Sequence, residues 1–511
     1  MFFFIKNNYY VSCFFWSTFQ KIINAIVGFI SVPLLLGLYG KADYGILGIA
    51  TACNGYMHLL DLGMDVGSVK YYSQWRNEGK VELISRVART NISFYAIIAF
   101  VNIIGLVSLA FWGESFFSIG HNQFYLLRSC LLIIALFCVF SWGSTTFNQL
   151  LIADMQMAFT MQIQSAIAVL KAFLICSVFI FHISLQQYFF LLTAIVAMTI
   201  FPYAIRCRKK NLIDCLRPAF YWKDFKIVFL FSLSIFALSL FQMTALQSRP
   251  IILSIFATNG ADSVAEYKII EMIPQLIIMI GGVFSSIFLP KASAMVASGN
   301  QTDISTFAYR WTRYTTIIIN TLTIPFILGS AEILSAYVGN EYKSLSVWLI
   351  LWCFTVLIQM HTTPGNALVL AYGKTKLLVI TTAISCILSI LLNIILAPLY
   401  GVGAAIISYF LYVVVVIGLY YLGYYKKILN LSRIRMFYSF AKPTLISLIL
   451  LYVVSQINIP YCFFYIGNEK VTYLFVFVFK VLIWFIPYCL LLFGFKVIRL
   501  NEFKKNGDLQ L

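Results

Sequence analysis

The sequence predicts an all-α polytopic membrane protein of about 14 transmembrane helices: two six-helix lobes related by a parallel internal repeat, then a trailing helix pair. Three observations carry this. Hydrophobic residues make up 61% of the 511 and charged residues only 11%, far from the balance of a soluble globular domain. Apolar runs of bilayer length recur along the chain. Lys and Arg gather on alternate connections between those runs.

The stretch Pro33–Ser73 sets the pattern. It reads PLLLGLYGKADYGILG, a further apolar run, then LLDLGMDVGSVKYYS: the end of one span, a tight outer turn, a second span and a polar exit. About twenty apolar residues precede Pro33 and about eighteen follow Ala42, each close to the length that crosses a bilayer. Pro33 lies inside the first span, where it removes a backbone hydrogen bond and predicts a kink. Lipid tolerates that only where neighbouring helices or a watery cavity satisfy the freed carbonyl. The start, MFFFIKNNYY, lacks the basic opening, short apolar core and small-residue cleavage site of a removable signal, so the first span is expected to be retained.

Spans are expected near 11–38, 43–62, 92–112, 126–147, 163–181 and 184–205, within a first lobe of residues 1–210. A second lobe, 211–425, holds spans near 227–256, 264–289, 314–334, 347–371, 377–397 and 401–422. The segment 426–511 adds spans near 443–458 and 472–496 and a tail. With the N-terminus and every even-numbered exit on one side, that side collects 27 of the 36 Lys and Arg; the other holds Lys41, Arg128, Lys343 and Lys470, and five lie within spans. The positive-inside rule makes the rich side cytoplasmic, with both termini there. Topology thus accounts for the net charge of +18, and no nucleic-acid partner is expected. RCRKK at 206–210 and the segment Lys426–Lys442 read as linkers between lobes. Glu78–Arg89 mixes charge with Val81, Leu83, Ile84 and Val87, and predicts an amphipathic helix at the cytoplasmic surface, or a solvated linker helix.

The repeat shows in a shared offset. Asn102 and Asn320, Asn148 and Asn366, and Ala153 and Ala371 are each 218 apart, and Pro33 and Pro250 are 217 apart. The run RPIILSIF from Arg249 matches the PLLL run, and Ala265-Glu266-Tyr267 matches Ala42-Asp43-Tyr44. Six spans per half is even, so the halves are parallel repeats about an axis along the membrane normal, with a substrate path between them.

Catalysis finds no home. There is no HExxH, and Gly373-Lys374-Thr375 lacks the earlier glycine of a phosphate loop, Leu368 standing there. The outer loops are short. Eleven cysteines form no CxxC and no metal spacing with histidine, so they read as packing residues, and no cofactor or metal is expected.

What remains are ionisable groups within spans, which carry a cost in the bilayer and so ask for a reason. Arg249 immediately precedes Pro250 in the seventh span, and Lys21 lies mid-span in the equivalent first helix; together they suit an anionic head group. Lys171 and Lys268 are also deep candidates for a cationic cavity, as is Lys480, while Glu266 and Glu271 flank Lys268 at spacings that pair with it. For the lysines the alternative is snorkelling or an unseen partner; for Arg249 it is pairing with a carboxylate or carbonyls of a neighbouring helix. His58 and His361 are candidates for titration or gating, with Pro33 and Pro250 as kink points, and the HTTPGN run after Met360 predicts a broken helix lining a cavity. A hydrogen-bonded packing role is the alternative for each histidine. Asp61 and Asp65 are read as capping or pairing rather than ion-coupling groups.

The hairpin with ADYG and LLDLGM, the later AEY, AYGKTK at Ala371–Lys376 and LYGVGAAI at Leu399–Ile406 together resemble Wzx-type polysaccharide flippases. These belong to the superfamily of multidrug, oligosaccharidyl-lipid and polysaccharide (MOP) exporters, and the resemblance runs from about residue 10 to 425. It implies a non-enzymatic transporter of the bacterial cytoplasmic membrane that moves a polyprenyl pyrophosphate-linked oligosaccharide between leaflets for surface polysaccharide synthesis. The implied partners are that lipid-linked substrate, the bilayer and polysaccharide assembly proteins. The resemblance further associates the trailing pair with a groove for the lipid tail. A drug or organic-cation antiporter and a lipid-linked peptidoglycan precursor flippase are the alternatives within the superfamily; a polymerase is the enzyme-class rival.

Overall fold

Apolar runs without water to hydrogen-bond their backbone must satisfy it internally, and among the described residues the expected spans are largely helical. The computed structural model describes residues 9–213, 217–374, 376–457, 468–495 and 497. Helix α1 (Tyr9–Met57) holds the first two expected spans; its 49 residues are more than twice what a bilayer needs. It breaks at Gly40, where φ is 82° and ψ is 169°, a backbone geometry essentially restricted to glycine. A 3-10 turn, His58–Asp61, leads into α2 (Met64–Asn77), followed by α3 (Val81–Trp112), α4 (His121–Ala153), α5 (Met157–Phe181), α6 (Leu185–Ala197) and α7 (Ile200–Lys209). The second half continues with α8 (Trp222–Phe256), α9 (Gly260–Ser298), α10 (Gln301–Leu328), α11 (Ser330–Tyr337), α12 (Ser346–Met360), α13 (Thr363–Ala371), α14 (Lys376–Tyr400) and α15 (Val402–Leu419). A π-helical turn, Tyr420–Tyr424, precedes α16 (Arg433–Ser455) and α17 (Glu469–Gly494).

Among the described residues ten helical stretches are long and apolar enough to cross a membrane, and α10 with α11 forms one further bent candidate. Their outward faces are apolar. Ile22, Ile26 and Ile30 on α1, and Ile380, Ile384 and Ile387 on α14, are exposed at helical spacing. Such stripes on so many helices are the face a bilayer covers.

Three expected spans and one expected surface helix differ from the helices found. Residues 184–205 are two helices that part at Met198–Thr199. The span near 314–334 bends by 74° between α10 and α11, at Gly329. There the ring of Phe477 comes so near that a Cβ would lie 2.4 Å from it. The span near 347–371 breaks at His361–Thr362, as HTTPGN predicts, with Pro364 in the first turn of α13. Glu78–Arg89 is no separate surface helix: from Val81 it forms the first turns of α3, and Ile84 and Val87 enter the protein core.

By their internal contacts the residues form two units. The first comprises 1–268 with 394–401. Its core is aromatic, with Tyr72, Trp75, Tyr95, Trp142, Tyr203 and Phe225 all buried. Helices α3 and α4 pack along each other, α1 packs on α5, and α8 lies against α1 and α2. The linker after α7 is strapped to α3: Arg89 Nε donates to the Arg217 carbonyl at 3.0 Å, Ser93 Oγ to Ala219 at 2.7 Å, and Tyr221 N to Thr90 Oγ1 at 2.9 Å.

The second unit comprises 269–393 with 402–511. Within it α10 packs on α12 and α16, α12 on α15, and α11 on α17. The trailing helices α16 and α17 are therefore fastened to this unit. Their remaining faces stay apolar and open, with Leu445, Ile449 and Tyr452 on one and Leu474, Val478 and Leu482 on the other exposed.

Candidate functional site

Each charge inside an apolar helix is costly without a partner, so the partner states what the charge is for. In the second unit Lys480 on α17 meets Glu332 on α11 at 2.6 Å, both largely buried. This pins the second trailing helix to the short helix beyond the Gly329 bend. Lys480 thus has a carboxylate partner, one of the two alternatives the sequence left open, and Glu332 lies within the protein rather than on an outer loop.

In the first unit Lys41 meets Glu266 at 2.7 Å. The sequence spacing paired Glu266 with Lys268; the structure corrects this, because the turn after Gly40 delivers Lys41 to Glu266. The Lys268 ammonium lies 5.7 Å from the Tyr267 ring centre, and its stem runs along α1 at Gly48. Glu271 accepts from Gln275 at 3.4 Å. Arg249 is only 2% exposed, and Pro250 beside it is buried. Lys21 stands at an exposed position on α1, Lys171 is half-buried on α5, and Pro33 is half-buried within a helix that continues through it.

His361 is 1% exposed and stacks on Phe440 of α16 with ring centres 4.1 Å apart. Its Nδ1 is bonded to the Ile358 carbonyl, which can only accept, so Nδ1 carries the proton and Nε2 accepts from Tyr421 at 3.0 Å. The HTTPGN break is therefore packed, not open, at His361. Around it Tyr420 donates to Asn366 at 2.9 Å and Tyr409 to Gln359.

The richest polar cluster is one the sequence reading set aside. Tyr95 OH donates to Asp61 Oδ1 at 2.6 Å, and the Asp65 N–H donates to Asp61 Oδ2 at 3.2 Å. Gln149 Nε2 reaches both Asp65 Oδ1, at 3.2 Å, and the Tyr95 oxygen, at 2.8 Å. Asn91 Nδ2 donates to Gln149 Oε1 at 2.7 Å and lies 3.2 Å from Ser68 Oγ. His58 is exposed at the rim, its ring 5.1 Å from that of Trp142, which also stacks on Tyr95. The Asp61 side chain does accept the α2 backbone N–H of Asp65, as a capping role requires; its link to Tyr95 and Gln149 was not foreseen. Only the spacing of Asp61 and Asp65 was visible in sequence, since their partners come from α3 and α4, 34 and 84 residues away.

Among the described residues no group of three or more His, Cys, Asp or Glu is placed to hold a metal ion, and nine cysteines are free.

No family profile matches the chain. No curated protein matches it either. Solved structures do. A lipid II flippase, MurJ, in an inward closed conformation superposes with a TM-score of 0.69 over 94% of this chain and 99% of its own, at 16% identity. An inward-facing multidrug resistance MATE family transporter of the MOP superfamily gives 0.65 over 79% and 96%, at 14% identity. A MATE in complex with MaL6 gives 0.54 over 81% and 95%, at 13% identity. The chain has the multi-helical membrane fold that these flippases and transporters share.

Proposed function

We propose that the chain carries a polyprenyl pyrophosphate-linked oligosaccharide from the inner to the outer leaflet of a bacterial cytoplasmic membrane by alternating access, with both termini cytoplasmic. The observation that carries this reading is the extent of the likeness. The match to the lipid II flippase spans 94% of the chain and leaves fewer residues over than α16 and α17 contain, whereas the MATE match spans 79%. A likeness of that extent to a lipid II flippase supports a lipid-linked cargo. The apolar open faces of α16 and α17 suit a lipid tail.

Within this reading Arg249, Lys21, Lys268 and Lys171 contribute cationic contacts to a pyrophosphate or acidic sugar, and polysaccharide assembly proteins are the partners. No covalent step is needed. The lipid-linked peptidoglycan precursor is the second reading, favoured by the flippase likeness itself. A drug or organic-cation antiporter is third, because neither the first nor the seventh span contains the carboxylate that cation exchange would use there.

Mass spectrometry of the lipid-linked species that accumulate when the gene is deleted tests the reading: a pyrophosphate-linked oligosaccharide is expected, and a normal profile with altered drug resistance rejects it. Arg249→Gln and Lys21→Gln should each remove most transport at normal membrane abundance, with Arg249→Lys a partial loss, since it keeps charge but not the two-pronged contact.

A further inference from the structure

Two segments 137 residues apart are sewn together at one end of the first unit. The Ser118 N–H donates to the Ser254 carbonyl at 2.7 Å, the Gly260 N–H to the Ser118 carbonyl at 3.0 Å, and Ser118 Oγ to the Ile255 carbonyl at 2.7 Å. The join needs glycine, because a Cβ on Gly260 would lie 2.5 Å from the Ser254 oxygen and 2.8 Å from that of Ser118. Behind it α1 closes up in the same way: a Cβ on Gly45 would overlap the Ala261 carbonyl. Thr258 Oγ1 lies 3.5 Å from the Pro398 carbonyl, so a third segment of the same unit braces the turn. The α3–α4 connection and the α8–α9 turn therefore form one fixed frame rather than two loose loops.

This frame lines a cavity of about 470 Å³. Small-molecule sites span about 300–1,000 Å³, and most are apolar with a few placed polar groups. Here the balance is reversed. Of the ten lining residues five have polar side chains and two are glycines. Gln123 turns its Oε1 back to the Gly120 N–H at 3.0 Å, which leaves Nε2 as a donor. Asn259 is exposed, with a donor and an acceptor on one carboxamide. Asp262, half-buried in the first turn of α9, has neither an ion pair nor a side-chain hydrogen bond among the described residues. Phosphate would meet that carboxylate with like charge, and a greasy drug would meet too little apolar wall. Hydroxyl groups suit the set, since each one donates and accepts and so can be shared between a carboxylate and a carboxamide.

We propose that this cavity is a carbohydrate-binding site that takes a neutral sugar unit, with Asp262 accepting from its hydroxyls and Asn259 and Gln123 supplying the amide contacts. Its connections belong to the side poor in Lys and Arg, which the charge pattern places outside. That the sugar is the head group of the cargo, met as it leaves the protein on that side, rests on the proposed function; affinity for a free sugar does not.

Saturation-transfer NMR on the full-length protein in lipid nanodiscs tests the site, with D-glucose, D-galactose, N-acetyl-D-glucosamine and D-glucuronate as probes and inorganic phosphate as competitor. At least one neutral sugar should receive saturation, and glucuronate should bind more weakly than glucose because Asp262 repels its carboxylate. Asp262→Asn removes a charged acceptor and should weaken the neutral sugar about tenfold. It should also narrow the gap to glucuronate, which a merely disturbed turn would not do. Asn259 both lines the cavity and is exposed, so Asn259→Trp fills the entrance without entering the core and should abolish the signal. Should Asp262→Asn fail to fold, this variant decides. Saturation of no neutral sugar, a signal unchanged in the variants, or displacement by phosphate overturns the site, the last assigning the cavity to an anion at the start of α9. A sugar signal that Asn259→Trp removes, found together with a normal lipid-linked profile on gene deletion, keeps the site and rejects the cargo. An accumulated lipid-linked oligosaccharide without any sugar signal keeps the cargo and rejects the site.

Discussion

Glu332 in the second unit and Asp61 in the first are both acids within a helical membrane protein, and they are held in opposite ways. Glu332 is buried with a lysine 2.6 Å away. Asp61 is half-open, with a tyrosine at 2.6 Å and no ion pair. A buried charge matched by its opposite is complete, and its work is to join two helices. An acid supported only by neutral donors stays open to water on its uncovered side. The lesson is that the partner, rather than the acid, separates a charge that ties helices from one that faces water.

The sharpest way to break that comparison is to remove one member of the closed pair. Lys480→Ala leaves Glu332 buried without its counter-charge and should cost about 3–5 kcal/mol, seen as a large fall in Tm in detergent. Lys480→Met combined with Glu332→Leu should recover most of it, because an apolar pair of similar volume carries no desolvation cost. A single variant that melts like the parent would show the pair to be idle.

The open cluster should respond less. Gln149→Ala removes the group that links Asp65, Tyr95 and Asn91, taking away the donor to Asp65 and Tyr95 and the 2.7 Å acceptor of Asn91, at a cost of about 1–3 kcal/mol. The outer edge stays in reach of water, so Asp65 keeps its hydration and the loss falls on Tyr95 and Asn91. If Gln149→Ala costs as much as Lys480→Ala, the cluster is a closed structural element and the contrast between the two regions fails.

How much of this was legible follows from the range of the interactions. Periodic apolar runs are a local signal, and among the described residues they are helical, with ten stretches long and apolar enough to cross a membrane. The breaks were harder. Pro364 announced the break at His361, whereas the bend at Gly329 lies against a phenylalanine nearly 150 residues later, a contact that no local pattern encodes. At the site level spacing was a poor guide. It offered Lys268 to Glu266 along one helix, while the structure chose Lys41 from 225 residues away. His361, read as either a titrating or a packing group, is hydrogen-bonded and stacked.

The smallest effect belongs to the pair that lies between these extremes. Lys41 and Glu266 touch at 2.7 Å with their side chains 33% and 25% exposed. Water screens them, so Lys41→Gln should lower stability by no more than about 1 kcal/mol, and the loss should shrink in high salt. Exchanging the charges, Lys41→Glu with Glu266→Lys, should restore what either single reversal removes, because the contact depends on opposite sign more than on which residue carries it. The pair nevertheless ties the turn after Gly40 to α9. A Lys41→Gln loss as large as that of Lys480→Ala would mean that exposure is no guide to the worth of a charge pair here.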